Sequence, residues 1–107
     1  MSTEALEKML AKGMDNALLR FGLGKGYLDI GEFARAAEHL RRCVAFDAHY
    51  SAAWKLLGQA LNKQGLVEQA RQAWEEGLQV AQDKGDKQAE KEIGVFLRRL
   101  DKAAKAD

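Results

Sequence analysis

Two helical signatures separated by 34 residues constrain this chain more than any other feature. Leu23-Gly24 returns as Leu57-Gly58, and at the same offset Gly31 meets Gly65 and Ala36 meets Ala70. Apolar pairs fill the register between them: Tyr27 with Leu61, Phe33 with Val67, Leu40 with Trp74, Val44 with Leu78. Within each copy the spacing is helical. Phe33, Ala36, Ala37, Leu40, Cys43 and Val44 recur at three- and four-residue steps, as do Val67, Ala70, Trp74, Gly77, Leu78 and Ala81. Two further helical runs, residues 17–30 and 50–64, each stop at a glycine, Gly31 and Gly65, suited to a left-handed C-cap. No stretch alternates with period two. The chain has no proline, and its ten glycines punctuate a sequence rich in Ala, Leu, Glu, Lys, Gln and Arg, which favours helices over strands. The pattern predicts an all-α fold with four central helices in two hairpins. Leu-Gly lets the first helix of each approach its neighbour closely, and the alanine of the second permits tight contact between the pair.

With Trp54, Leu57, Gly58, Leu61, Gly65, Ala70 and Trp74 in place, residues 51–84 resemble the tetratricopeptide repeat. Residues 17–50 resemble it through Leu23, Gly24, Tyr27, Gly31, Ala36 and Leu40, with Arg20 where the opening tryptophan would stand. The repeat's closing proline is replaced by Ala48 and Gln82. The resemblance implies two stacked repeats in a right-handed superhelix, the first helices lining a concave groove and the second forming the outer wall.

Two repeats leave apolar faces at both ends, and flanking helices are expected to close them. Residues 3–12 place Leu6, Met9 and Leu10 on one side of a short helix. Residues 86–104 place Ala89, Ile93, Phe96, Leu97 and Leu100 on one side of a longer capping helix, with Asp86 as its N-cap and charged residues on its opposite face. A length of 107 residues then reads as one domain over residues 1–107.

Composition excludes several classes of function. Seventeen basic against sixteen acidic residues leave a formal charge of +1, too balanced for counterion-release binding to nucleic acid. Arg35, Arg41, Arg42, Arg98 and Arg99 are interleaved with Glu38, Asp47 and Asp101, and read as a solvated mixed-charge face. Acids within the first ten residues and the lack of a long apolar run argue against a signal peptide or membrane span, so the expected location is cytoplasmic, without membrane contact.

The supply of catalytic groups is poor, and no enzyme activity, metal or cofactor is expected. Ser2, Thr3 and Ser51 are the only aliphatic hydroxyls, and the single cysteine, Cys43, falls on an apolar helix face as a buried small residue. His39 and His49, ten residues apart, lack metal-site spacing and read as surface histidines. Gly22, Gly24 and Gly26 invite comparison with a phosphate loop. The hydroxyl after Gly-Lys is missing, however, and the upstream segment is helical, so helix packing is the better reading. Gly22 and Gly26 are expected to weaken their helix.

The repeat geometry that the resemblance implies puts Leu18, Phe21, Lys25, Leu28 and Asp29 on the groove face of the first repeat. It puts Ala52, Lys55, Gln59, Asn62 and Lys63 on that of the second. The chain then reads as a non-catalytic interaction module for an unidentified peptide or protein segment. Leu18, Phe21 and Leu28 would offer apolar contact, and Lys25, Lys55, Gln59, Asn62 and Lys63 would orient polar groups. The competing reading packs this apolar stripe beneath a flanking helix. The carboxylate clamp of chaperone-tail binders is not reproduced: Phe21 and Leu56 stand where its lysine and asparagine are expected, with acids Asp86 and Glu90 on the third helix. The alternative is a self-assembling structural repeat that buries Leu6, Met9, Phe96 or Leu100 between protomers, and the expected state is a monomer or weak homodimer.

Overall fold

The structure, a computed structural model, describes residues 2–105. Six helices follow one another: α1 (Thr3–Ala11), α2 (Ala17–Asp29), α3 (Phe33–Phe46), α4 (Ser51–Lys63), α5 (Val67–Lys84) and α6 (Lys87–Lys105). No strand occurs among the described residues.

Local chemistry sets the boundaries. Ser2 Oγ and Asn16 Oδ1 accept hydrogen bonds from the backbone N–H groups of Ala5 and Leu19, capping α1 and α2. Both α2 and α4 end at a left-handed glycine, Gly31 and Gly65, each with φ of +80°. The residue after each glycine donates back across the turn, Glu32 N–H to Tyr27 O at 2.9 Å and Leu66 N–H to Leu61 O at 3.0 Å, so both hairpins are closed by the same local geometry. Between α3 and α4, where the repeat's proline is missing, Asp47 organises the turn. Its Oδ1 accepts from His49 N–H at 3.0 Å and its carbonyl accepts from Tyr50 N–H at 3.2 Å. Trp54 Nε1 then donates to Ala48 O at 2.8 Å.

The predicted hairpins are α2 with α3 and α4 with α5. In each, the Leu-Gly glycine is where the helices meet: Leu40 sits against Gly24 and the Trp74 indole against Gly58, in space a Cβ would occupy. The fully buried Leu23, Leu40, Leu57, Leu61 and Ile93 form a core running through both hairpins into α6. Each such side chain contributes about 1.5–3 kcal/mol by leaving water. The last helix packs on α5 and reaches α4, while α1 packs on α2.

One expectation is overturned and another extended. His39 is buried, not a surface residue, because Arg20, which replaces the opening tryptophan, is buried beside it. Arg20 makes two hydrogen bonds to Asp15, at 2.7 and 2.9 Å, and a third contact of 3.0 Å to His39 Nδ1. A guanidinium can only donate, so Nδ1 accepts and the ring's proton lies on Nε2, which faces Glu7 Oε1 at 3.4 Å. The His39 ring stacks on Tyr27, whose hydroxyl donates to the same Glu7 oxygen at 2.8 Å. Gly22 and Gly26, in turn, do more than weaken α2. They are where α1 lands, Leu6 packing over the first and the Thr3 methyl over the second.

Candidate binding cleft

The C-terminal halves of α2, α4 and α6 and the start of α5 enclose a cleft of about 940 Å³, large enough for a peptide's side chains. Leu28 and Asp29 come from α2, Gln59, Asn62 and Lys63 from α4, and Phe96, Arg99 and Leu100 from α6. Trp74 of α5 forms part of its floor. That ring is only 2% exposed, stacks on Phe96 with centroids 5.1 Å apart, and donates from Nε1 to Lys55 O at 3.0 Å. The cleft therefore has a rigid aromatic base, and its polar groups stand around the rim.

The rim charges are not equivalent. Arg71 is held by Asp101 at 2.7 Å and Glu68 at 3.7 Å, and Asp29 by Lys25 at 3.6 Å. Lys63 and Arg99 have no ion-pair partner among the described residues. Once the internal pairs are set aside, the cleft offers cations to a ligand.

Four of the eight predicted contact residues, Leu28, Gln59, Asn62 and Lys63, meet in this cleft, and the other four lie outside its lining. Phe21 stacks on Tyr50 at 4.8 Å, which spends its ring on the junction between the two hairpins. Lys55 donates to Glu92 of α6 at 2.8 Å. That bond and one from Gln88 hold the Glu92 carboxyl below its ordinary pKa. Lys25 is turned to Asp29, and Leu18, at 73% exposed, stands alone on the surface.

The α6 wall is not among the residues predicted above, where that helix reads only as a cap. A signal was present at a different offset. Ala53, Leu57, Gly58 and Leu61 of α4 recur 36 residues later as Ala89, Ile93, Gly94 and Leu97. Thus α6 is built as a third first-helix displaced by two residues, and Phe96 and Arg99 face the groove as residues on α2 and α4 do.

The residues considered for chemistry are occupied structurally. Burial pushes the Cys43 thiol up to about 11, which suppresses the thiolate. Ser51 donates to Asp86 Oδ2 at 2.7 Å, while Asp86 Oδ1 caps α6 by accepting from Ala89 N–H at 3.1 Å. Gly24 lies inside α2 beneath Leu40, unable to cradle a phosphate. Among the described residues no three His, Cys, Asp or Glu side chains converge as a metal site would require, and no helix is long and apolar enough to cross a membrane.

Comparison with known proteins places this geometry. A family profile described as tetratricopeptide repeat matches residues 27–90. The TPR repeat-containing protein PA0015 of Pseudomonas aeruginosa is 68% identical over 103 residues, covering 96% of this chain and 98% of that protein. The solution structure of protein BPP2914 from Bordetella parapertussis superposes with a TM-score of 0.82 at 55% identity, covering 94% of this chain and 88% of that one. The tetratricopeptide repeat domain protein from Salinibacter ruber, at 18% identity, shares the fold with a TM-score of 0.75 over 81% of this chain and 97% of its own.

Proposed function

The chain belongs to the tetratricopeptide-repeat family, and from that premise we propose that it is a non-catalytic interaction module whose partner segment lies in the cleft between α2, α4 and α6. In this reading residues 17–50 and 51–84 act as two repeats of one domain, and α6 supplies the third wall of the groove. The observation that carries it is the pairing of an apolar base with two uncommitted cations. Phe96, backed by the buried Trp74, and Leu28 can receive an aliphatic or aromatic side chain, while Lys63 and Arg99 stand at the rim to meet a carboxylate. Gln59 and Asn62, between them on α4, are placed to bond a peptide backbone. The partner is thus a peptide or protein segment joining an apolar anchor to an acidic group.

Phe21 and Lys55 bind neighbouring helices and are poor probes of a groove, because their replacement disturbs the hairpin junction and α6 together. Leu28→Glu combined with Lys63→Glu changes the cleft itself. Selection of a displayed peptide library on the folded chain is expected to enrich apolar-acidic sequences, with the double variant losing binding by tenfold or more, on the order of 1.4 kcal/mol. Equal binding by the double variant moves the site to another surface.

A further inference from the structure

Of the four apolar residues that self-assembly was expected to use, Leu6 and Leu100 are buried inside the chain, Met9 is half-buried against the core, and Phe96 stacks on Trp74 in the cleft wall. A different face of α6 is left uncovered. On α2 and α4 the Leu-Gly glycine receives a large side chain from the next helix. On α6 the matching Gly94 meets only its own helix's Arg98 Nη1, 3.4 Å from where a Cβ would lie. Glycine in mid-helix is unfavourable, so a position that keeps it without a neighbour calls for an explanation.

Lys87, Glu90, Gly94, Arg98 and Asp101 are spaced three, four, four and three residues apart, which sets them on one stripe of the helix. The stripe is symmetric about Gly94 in spacing and antisymmetric in charge: plus, minus, neutral, plus, minus. Run in reverse, the same stripe presents the complementary sign at every charged position. Its charges are open to a partner. Lys87, 85% exposed, is held only by Glu90 at 3.6 Å, the Glu90 side chain keeps 31% of its surface exposed although its Oε1 is buried, and the exposed Arg98 has no ion-pair partner among the described residues.

We propose that a second copy of this chain docks here, the two α6 helices pairing antiparallel about a two-fold axis at Gly94. Glu90 then faces Arg98 of the second copy and Lys87 faces its Asp101, four ion pairs counting both halves. The two glycines meet at the axis, where the absence of Cβ atoms lets the backbones approach. Arg98 leaves its own Gly94 for Glu90 of the second copy. Asp101 keeps Arg71 as a partner and bridges it to Lys87 of that copy. Leu97, half-buried beside the stripe, is covered by the Lys91 stem of the second copy. One helix face makes a small, charged interface, so the association is weak and salt-sensitive. The cleft opens on the other side of α6, which leaves the dimer with two binding sites.

Sedimentation velocity across micromolar to millimolar concentrations of the full chain at low salt tests the arrangement. Wild type is expected to shift from monomer to dimer as concentration rises. Glu90→Arg and Arg98→Glu each place like charges opposite one another and weaken the association by about tenfold. The double swap regains it, as does an equimolar mixture of the two single variants, because each then faces its opposite charge. Gly94→Leu stays folded and monomeric. A wild type that remains monomeric throughout, or a charge swap that associates no better than its single parents, overturns the proposal.

Discussion

Replacing a helical glycine by alanine is ordinarily stabilising, by about 0.8–1 kcal/mol. The sign should reverse at Gly58. A Cβ there falls on the Trp74 indole, which is pinned by Phe96 stacking and by its hydrogen bond to Lys55 O and cannot withdraw cheaply. Overpacking of this kind costs about 1–3 kcal/mol. Because the clash is with a ring atom rather than a flexible chain end, the upper half of that range applies, and Gly58→Ala should destabilise the chain by about 1–2 kcal/mol net. Gly94→Ala is the internal control. Its Cβ meets only the mobile tip of Arg98, so it should stabilise by about 0.5–1 kcal/mol. Trp74→Ala removes the obstacle at a cost of about 3–5 kcal/mol. In that background Gly58→Ala should return to being stabilising, giving a coupling energy of about 2 kcal/mol between the two positions. Urea unfolding followed by far-UV circular dichroism measures all four, at micromolar protein so that self-association does not enter. A Gly58→Ala chain more stable than wild type would refute the packing argument. So would one equally destabilised with and without the indole.

Three further outcomes follow from the geometry. Burial holds the His39 pKa below its ordinary value, so the native state resists protonation that the unfolded chain accepts. Its contribution is complete above the unfolded pKa of about 6.5 and is lost as pH falls through the lower folded value. Melting temperature should therefore drop between pH 7.5 and the folded pKa, and His39→Gln should flatten that part of the slope; an unchanged slope assigns it elsewhere. Cys43, buried and with its thiol raised to about 11, should react with a thiol reagent at pH 7.5 far more slowly in the folded chain than in urea, and equal rates would show that it is accessible. Gly26→Leu places a side chain where the Thr3 methyl packs on α2. Hydrogen exchange should accelerate in α1 while α4 and α5 keep their protection, and uniform acceleration would mean that α1 is part of one cooperative unit with the rest.

What a residue does locally was legible in the sequence, because it depends on near neighbours. The left-handed turns at Gly31 and Gly65, the Asp86 cap and the apolar faces of α3 and α5 are all settled within a few residues, and the 34-residue repetition joined them into two hairpins. The small-residue approaches at Gly24 and Gly58 were also readable, since the spacing that produces them is internal to the repeat. Burial of His39 was not. It follows from Arg20 occupying a tryptophan's place and bringing its charge under α1, a contact between residues 19 positions apart. Nor was the choice among groove residues. Whether Lys55 reaches a ligand or Glu92 depends on where α6 settles, and that is decided by Ile93 and Leu100 packing against the hairpin before them. The sequence by itself determined which segments are helices, where they turn and which faces are apolar, because those are short-range properties of side chain and backbone. Only the tertiary structure decided that the last helix is a wall of the cleft as well as its cap, because that depends on the azimuth at which one packed helix lies against another.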